Sequence, residues 1–130
     1  MATVFDKILY KNEVSDILQR VKKILSDKCF DANTNLIVIF KYKNKVFMQE
    51  KEFDTDDIVN VLGKLEVNNY IKSVLDNKDI SGLYLHEFAI EYNNIKYVYI
   101  KFKVINNDIV IKVVSFHQNE YNFVFAYNDN

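Results

Sequence analysis

The period of the apolar residues changes along the chain, and each change marks an element. Between 13 and 27, Val14, Ile17, Leu18, Val21, Ile24 and Leu25 recur at spacings of mostly three and four. That period places them on one stripe and predicts an amphipathic helix. Glu13 and Asp16 come early and Arg20, Lys22 and Lys23 later, which suits the helix dipole; Asn12 is a suitable N-cap. Residues 36–49 read as two short strands about a turn at Lys43-Asn44. A second helix is expected from Asp54, with Asp56 and Asp57 in its first turn and Ile58, Val61, Leu62 and Leu65 on its inner face. The acidic trio reads as a helix start rather than a metal site, because carboxylates stabilise the free N–H groups there. Residues 70–82 turn polar and read as a loop or a short helical extension.

Three strands are then expected, at 84–92, 95–105 and 109–116, joined by Asn93-Asn94 and Asn106-Asn107-Asp108. Asparagine tolerates the positive φ that tight hairpins demand, so the three form an antiparallel meander. Residues 123–127 alternate as a further strand would. In the middle strand Val98, Ile100, Phe102 and Val104 share the core face, while Tyr97, Tyr99, Lys101 and Lys103 share the other. A two-residue turn at Asn93-Asn94 pairs Tyr92 with Ile95. Counting outward sets Phe88 opposite Tyr99 and His86 opposite Lys101. On this count His86, Tyr99 and Lys101 cluster on the face away from the aliphatic core. A slip of one residue would undo the cluster, because parity decides the face.

The whole reads as an α+β fold, N-terminal helices on a small, mainly antiparallel sheet. Its 130 residues suit one domain, 1–130, long enough to bury a core without disulfides. The lone Cys29 offers no intramolecular disulfide, which fits a reducing compartment. The start of the chain lacks a signal-type apolar region. The longest aliphatic or aromatic run, Leu36 to Phe40, is too short for a bilayer. A cytoplasmic protein without membrane contact is expected. The net charge is −1, so any contact with nucleic acid must rest on a local patch. Arg20 is the only arginine; the remaining cations are lysines, which act as point charges. With Gly63 and Gly82 the only glycines, there is no phosphate loop. Nor is there a nucleophile elbow or a metal-ligand spacing. No metal or cofactor is expected.

An imidazole, a phenol and an ammonium on one face suit RNA cleavage without a metal. A base takes the 2′-OH proton, an acid protonates the leaving 5′ oxygen, and a cation stabilises the phosphorane. Histidine serves either proton transfer near neutral pH, and tyrosines can stack on bases. The same residues also fit a plain solvated strand face rich in Lys and Tyr. His117, at the end of the run VVSFH, finishes a strand unless that strand brings it beside the cluster.

Several segments resemble, in order, the MqsR family of toxin–antitoxin ribonucleases, especially its Gram-positive branch. They are FDTDDIVNVLGKL at 53–65, NYIKS at 69–73, YLHEF at 84–88, VYIKFKV at 98–104 and VSFH at 114–117, followed by Glu120-Tyr121. The resemblance covers roughly residues 53–127. It implies a compact α+β fold similar to the RelE and YoeB toxins, endonucleolytic cleavage of single-stranded mRNA without a metal, and a cognate antitoxin protein as partner. By the same resemblance His86, Tyr99, Lys101 and His117 fall on the catalytic positions and Lys72 on a phosphate-binding loop position. Tyr70, Tyr97 and Lys103 join Lys72 as expected RNA-binding residues. A non-catalytic reading stands beside it: an interaction, antitoxin-like or regulatory protein on the same fold, with Phe123, Phe125 and Tyr127 as a docking strand.

Overall fold

The apolar stripe of the first segment folds as α1 (Lys11–Ser26), which buries Val14, Leu18, Val21 and Ile24. The computed structural model describes residues 6–78 and 83–128. The N-cap of α1 is Tyr10 rather than Asn12, because Glu13 reaches back to accept the Tyr10 N–H at 2.9 Å. The acidic trio behaves as expected. Asp54 caps α3 (Thr55–Lys64), accepting the Asp56 N–H at 2.9 Å while Asp57 accepts the Asp54 N–H at 2.9 Å. The inner face of α3, Ile58, Val61 and Leu62, and the following Leu65 are fully buried.

Residues 36–49 differ from the hairpin expected there. Leu36–Val38 is a short strand, β2, and Tyr42–Lys51 is a helix, α2. The inward residues of α2 are Asn44, Phe47 and Met48, a helical spacing disguised by a polar residue at its head. Asn44 is 1% exposed because its amide replaces a strand. It donates to the carbonyls of Ile39 at 2.8 Å and Val114 at 3.1 Å, and accepts the Phe116 N–H at 3.0 Å. The edge of the last strand is thereby satisfied where β2 leaves it.

Residues 70–75, expected as a loop, form β3 (Tyr70–Leu75); 79–82 lie outside the described residues. With β1 (Asp6–Lys7), β4 (Tyr84–Tyr92), β5 (Ile95–Ile105) and β6 (Val110–Gln118), the sheet runs β1-β3-β4-β5-β6-β2. Among the described residues only the β2–β6 pairing is parallel. The asparagine turns are as expected, with φ of 49° and 64° at Asn93 and Asn94, and 55°, 57° and 64° at Asn106, Asn107 and Asp108. Helices α1 and α3 cover one face: Val14, Leu18, Ile58 and Leu62 join Phe88, Ile100, Phe102 and Phe116 in one core. No helix among the described residues is long and apolar enough to cross a membrane.

The register shifts in three pairings. Two residues of β5, Lys96 and Tyr97, stand opposite Glu91 alone. Ile71 is an extra residue in β3 and Val114 one in β6. Such bulges re-aim every side chain beyond them. Residues 119–128 do not form the expected strand. They cross the end of the sheet, and the Ala126 N–H donates to the Tyr70 carbonyl at 3.0 Å.

Candidate active site on the open sheet face

On the face away from α1 and α3, two rows of side chains cross the sheet. In the first, Lys72 of β3 pairs with Glu87 of β4, which pairs with Lys101 of β5, which pairs with Ser115 of β6. In the second, Ala89, Tyr99 and His117 stand in line. These residues, apart from Ala89, line a cleft of about 550 Å³, walled by Asn119 to Val124 of the tail. Ala89, the smallest member of the second row, is fully buried.

Tyr99 and His117 meet with ring centroids 5.3 Å apart. Burial raises the Tyr99 phenol well above the usual tyrosine range, and the neighbouring Glu87 carboxylate, its hydrogen-bond partner, raises it further. The phenol therefore stays protonated and donates. His117 Nδ1 lies 2.9 Å from the Gln118 carbonyl oxygen. A carbonyl only accepts, so Nδ1 carries the proton and Nε2 is the nitrogen left for a ligand. Glu120 approaches the same Nδ1 at 3.8 Å and is held by Lys43 at 2.9 Å. Lys72 faces the cleft from its rim, tied to Asp6 at 2.9 Å; the Asp6 partnership raises the Lys72 ammonium. Lys101 forms no ion pair among the described residues, so its charge is available in the cleft.

The expected site residues thus divide. Tyr99, Lys101, His117 and Lys72 come together. His86 does not join them: the β5 bulge sets it opposite Phe102 rather than Lys101, on the helix-covered face. There its Nδ1 meets Ser73 Oγ at 2.7 Å, which meets the Tyr70 hydroxyl at 2.8 Å, which accepts the Leu9 N–H at 3.2 Å. Burial, and then the charges of Lys7 and Arg20, lower the His86 pKa to about 4. Tyr70 belongs to the same internal chain, fully buried and stacked on Tyr127. Lys103 is 2% exposed and bonded to Asp76 at 2.8 Å. Tyr97 is packed edge-on by the half-buried Phe123 and Phe125 of the chain's own tail.

The residues that sequence reasoning missed are Glu87 and Ser115. Glu87 occupies the place expected for His86, next to it in the chain; the one-residue change of parity brought it there. Ser115 flanks the bulged Val114, whose position no local pattern announces. The described residues hold no group of three or more His, Cys, Asp or Glu side chains that could bind a metal ion. Set against known proteins, the chain matches no protein-family model and no curated protein.

Proposed function

We propose that this protein is a toxin-type endoribonuclease, MqsR-like with a RelE/MqsR-like fold, that cleaves single-stranded RNA by acid–base attack of the 2′-OH on its own phosphodiester. The observation that carries the reading is the convergence of Glu87, Tyr99, Lys101 and His117 in one cleft. A carboxylate, an imidazole and an ammonium without an ion pair among the described residues supply the base, acid and cation this chemistry requires. Glu87 takes the proton from the 2′-OH as that oxygen attacks phosphorus. The bond from phosphorus to the 5′ oxygen breaks, and protonated His117 delivers its Nε2 proton to the departing oxygen. The products are a 2′,3′-cyclic phosphate and a 5′-OH. Lys101 faces the charge that grows on the phosphorane oxygens, and Tyr99, whose one hydroxyl proton is donated to Glu87, orients that carboxylate. The resemblance in sequence adds a cognate antitoxin protein as the partner that would silence the activity.

The test is product analysis in EDTA on single-stranded RNA. Wild type is expected to leave 2′,3′-cyclic phosphate ends. Glu87→Gln and His117→Gln should each slow cleavage by about 10² or more, and His86→Leu should leave the rate per folded molecule unchanged. Intact RNA with folded wild type, or full activity in Glu87→Gln, overturns the proposal.

A further inference from the structure

A second cleft, of about 740 Å³, adjoins the first on the same sheet face and shares Lys101 with it. Lys41, Lys78 and Lys112 line it together with Asp6 and Asp76. Both carboxylates are already engaged, Asp6 by Lys72 and Asp76 by the buried Lys103. Lys41, Lys78, Lys101 and Lys112 have no ion-pair partner among the described residues. The whole chain carries a net charge of −1, so this is a local segregation of charge and not an overspill of basic residues. It is also unfavourable as it stands. Lys112 is paired directly across from Lys103, whose ammonium already holds Asp76, and so has no carboxylate opposite it. Burial, and then the charges of Lys101 and Lys78, hold the Lys41 ammonium below its ordinary range. An anion with several charges would relieve all of these at once.

Direction follows from the order of groups along β5. Tyr99 faces His117, Lys101 faces Glu87 and Ser115, and Lys103 faces Lys112. Moving along the strand, one passes the acid, then the base, then the lysine cleft. The nucleotide that supplies the 2′-OH must lie at the base, and the leaving 5′ oxygen at the acid. We infer that the second cleft binds the phosphates of a single-stranded RNA on the 5′ side of the scissile bond. The strand leaves the active site past Lys101 towards Lys41, Lys78 and Lys112. The existence of this phosphate subsite rests on the lysines alone; its polarity rests on the roles given above to Glu87 and His117.

Binding of an uncleavable 2′-O-methyl oligoribonucleotide tests the subsite without catalysis. Each phosphate contact on a single strand contributes about 0.7 to the slope of log K against log salt. The triple variant Lys41→Gln/Lys78→Gln/Lys112→Gln should therefore bind with a slope shallower by about 2, while Lys45→Gln, outside the cleft, should keep the wild-type slope. An unchanged slope in the triple variant overturns the subsite even if wild type cleaves RNA. A mononucleotide that binds as tightly as the oligonucleotide also overturns it, since the cleft would then hold a small anion and not a strand. If the slope falls as stated but wild type cleaves nothing, the subsite stands and the nuclease reading fails. Polarity is read from methylphosphonates placed 5′ or 3′ of the mapped cleavage position. Neutral linkages on the 5′ side should weaken wild type and leave the triple variant unaffected; the reverse pattern overturns the direction.

Discussion

Acidification should destabilise this protein in a window set by His86. In the fold the half-buried imidazole packs against Ser73 and the Phe102 ring and titrates at about 4, against an ordinary 6.5. Above pH 7 it is neutral in folded and unfolded chains alike and contributes nothing to the pH dependence. Between 6.5 and 4 the unfolded chain takes up a proton that the folded one refuses, so stability falls as pH falls. The full separation corresponds to about 3 kcal/mol, and most of it is lost between pH 7.5 and 4.5. That is a large share of the roughly 5–15 kcal/mol that holds a domain together. The salt-bridged Asp76, held below its ordinary 3.8 by Lys103, loses its contribution only as pH falls through and below that value, so the two windows separate. Urea unfolding at both pH values measures the loss. His86→Leu isolates it: the variant gives up the bond to Ser73, about 1 kcal/mol at pH 7.5, while Ser73 keeps its bond to Tyr70. At pH 4.5 the variant should be as stable as wild type or more so. A gap between the two proteins that does not change with pH would refute the reasoning.

Three further outcomes concern the scaffold. Lys103→Met should cost about 1.5–3 kcal/mol in urea unfolding, because the Asp76 carboxylate loses its charge-assisted hydrogen bond from the buried ammonium. Asn44→Leu should cost about 3 kcal/mol or more by the same measurement, since the Phe116 N–H and the Val114 carbonyl lose the amide that completes the β6 edge. Gly63→Ala should raise the melting temperature: the site is helical, the added methyl would meet only Leu25 Cδ1 at 4.0 Å, and the exchange is worth about 1 kcal/mol.

Much of the fold was legible because it is decided locally. The stripe of α1, the Asp54 cap of α3 and the asparagine turns are each fixed by residues a few positions apart. The elements that were misread are those whose inward residues are polar. Asn44 heads the inner face of α2, and Tyr70 and Ser73 are buried in β3 with their hydroxyls bonded to each other. A pattern of apolar residues cannot report a buried amide or hydroxyl, because its burial is favourable only once a distant partner is in place.

The site shows the same limit in sharper form. Parity counted from Asn93-Asn94 found the right strands, the right turn and the right face for Tyr99 and Lys101. It assigned their neighbour wrongly, because Lys96 and Tyr97 together oppose Glu91 and shift the rest of β4 by one. In an alternating strand an error of one residue does not blur a site; it exchanges adjacent side chains between faces. Here the exchanged pair is His86 and Glu87. The imidazole goes inward, where burial keeps it neutral until about pH 4, and the carboxylate goes to the cleft beside Lys101. Either group could remove a 2′-OH proton, so the proposed reaction survives the exchange, but its base does not. Glu87→Gln and His86→Leu are therefore the pair of variants that separates the two registers. The first should slow cleavage by about 10² or more with little effect on stability, and the second should change acid stability with little effect on cleavage.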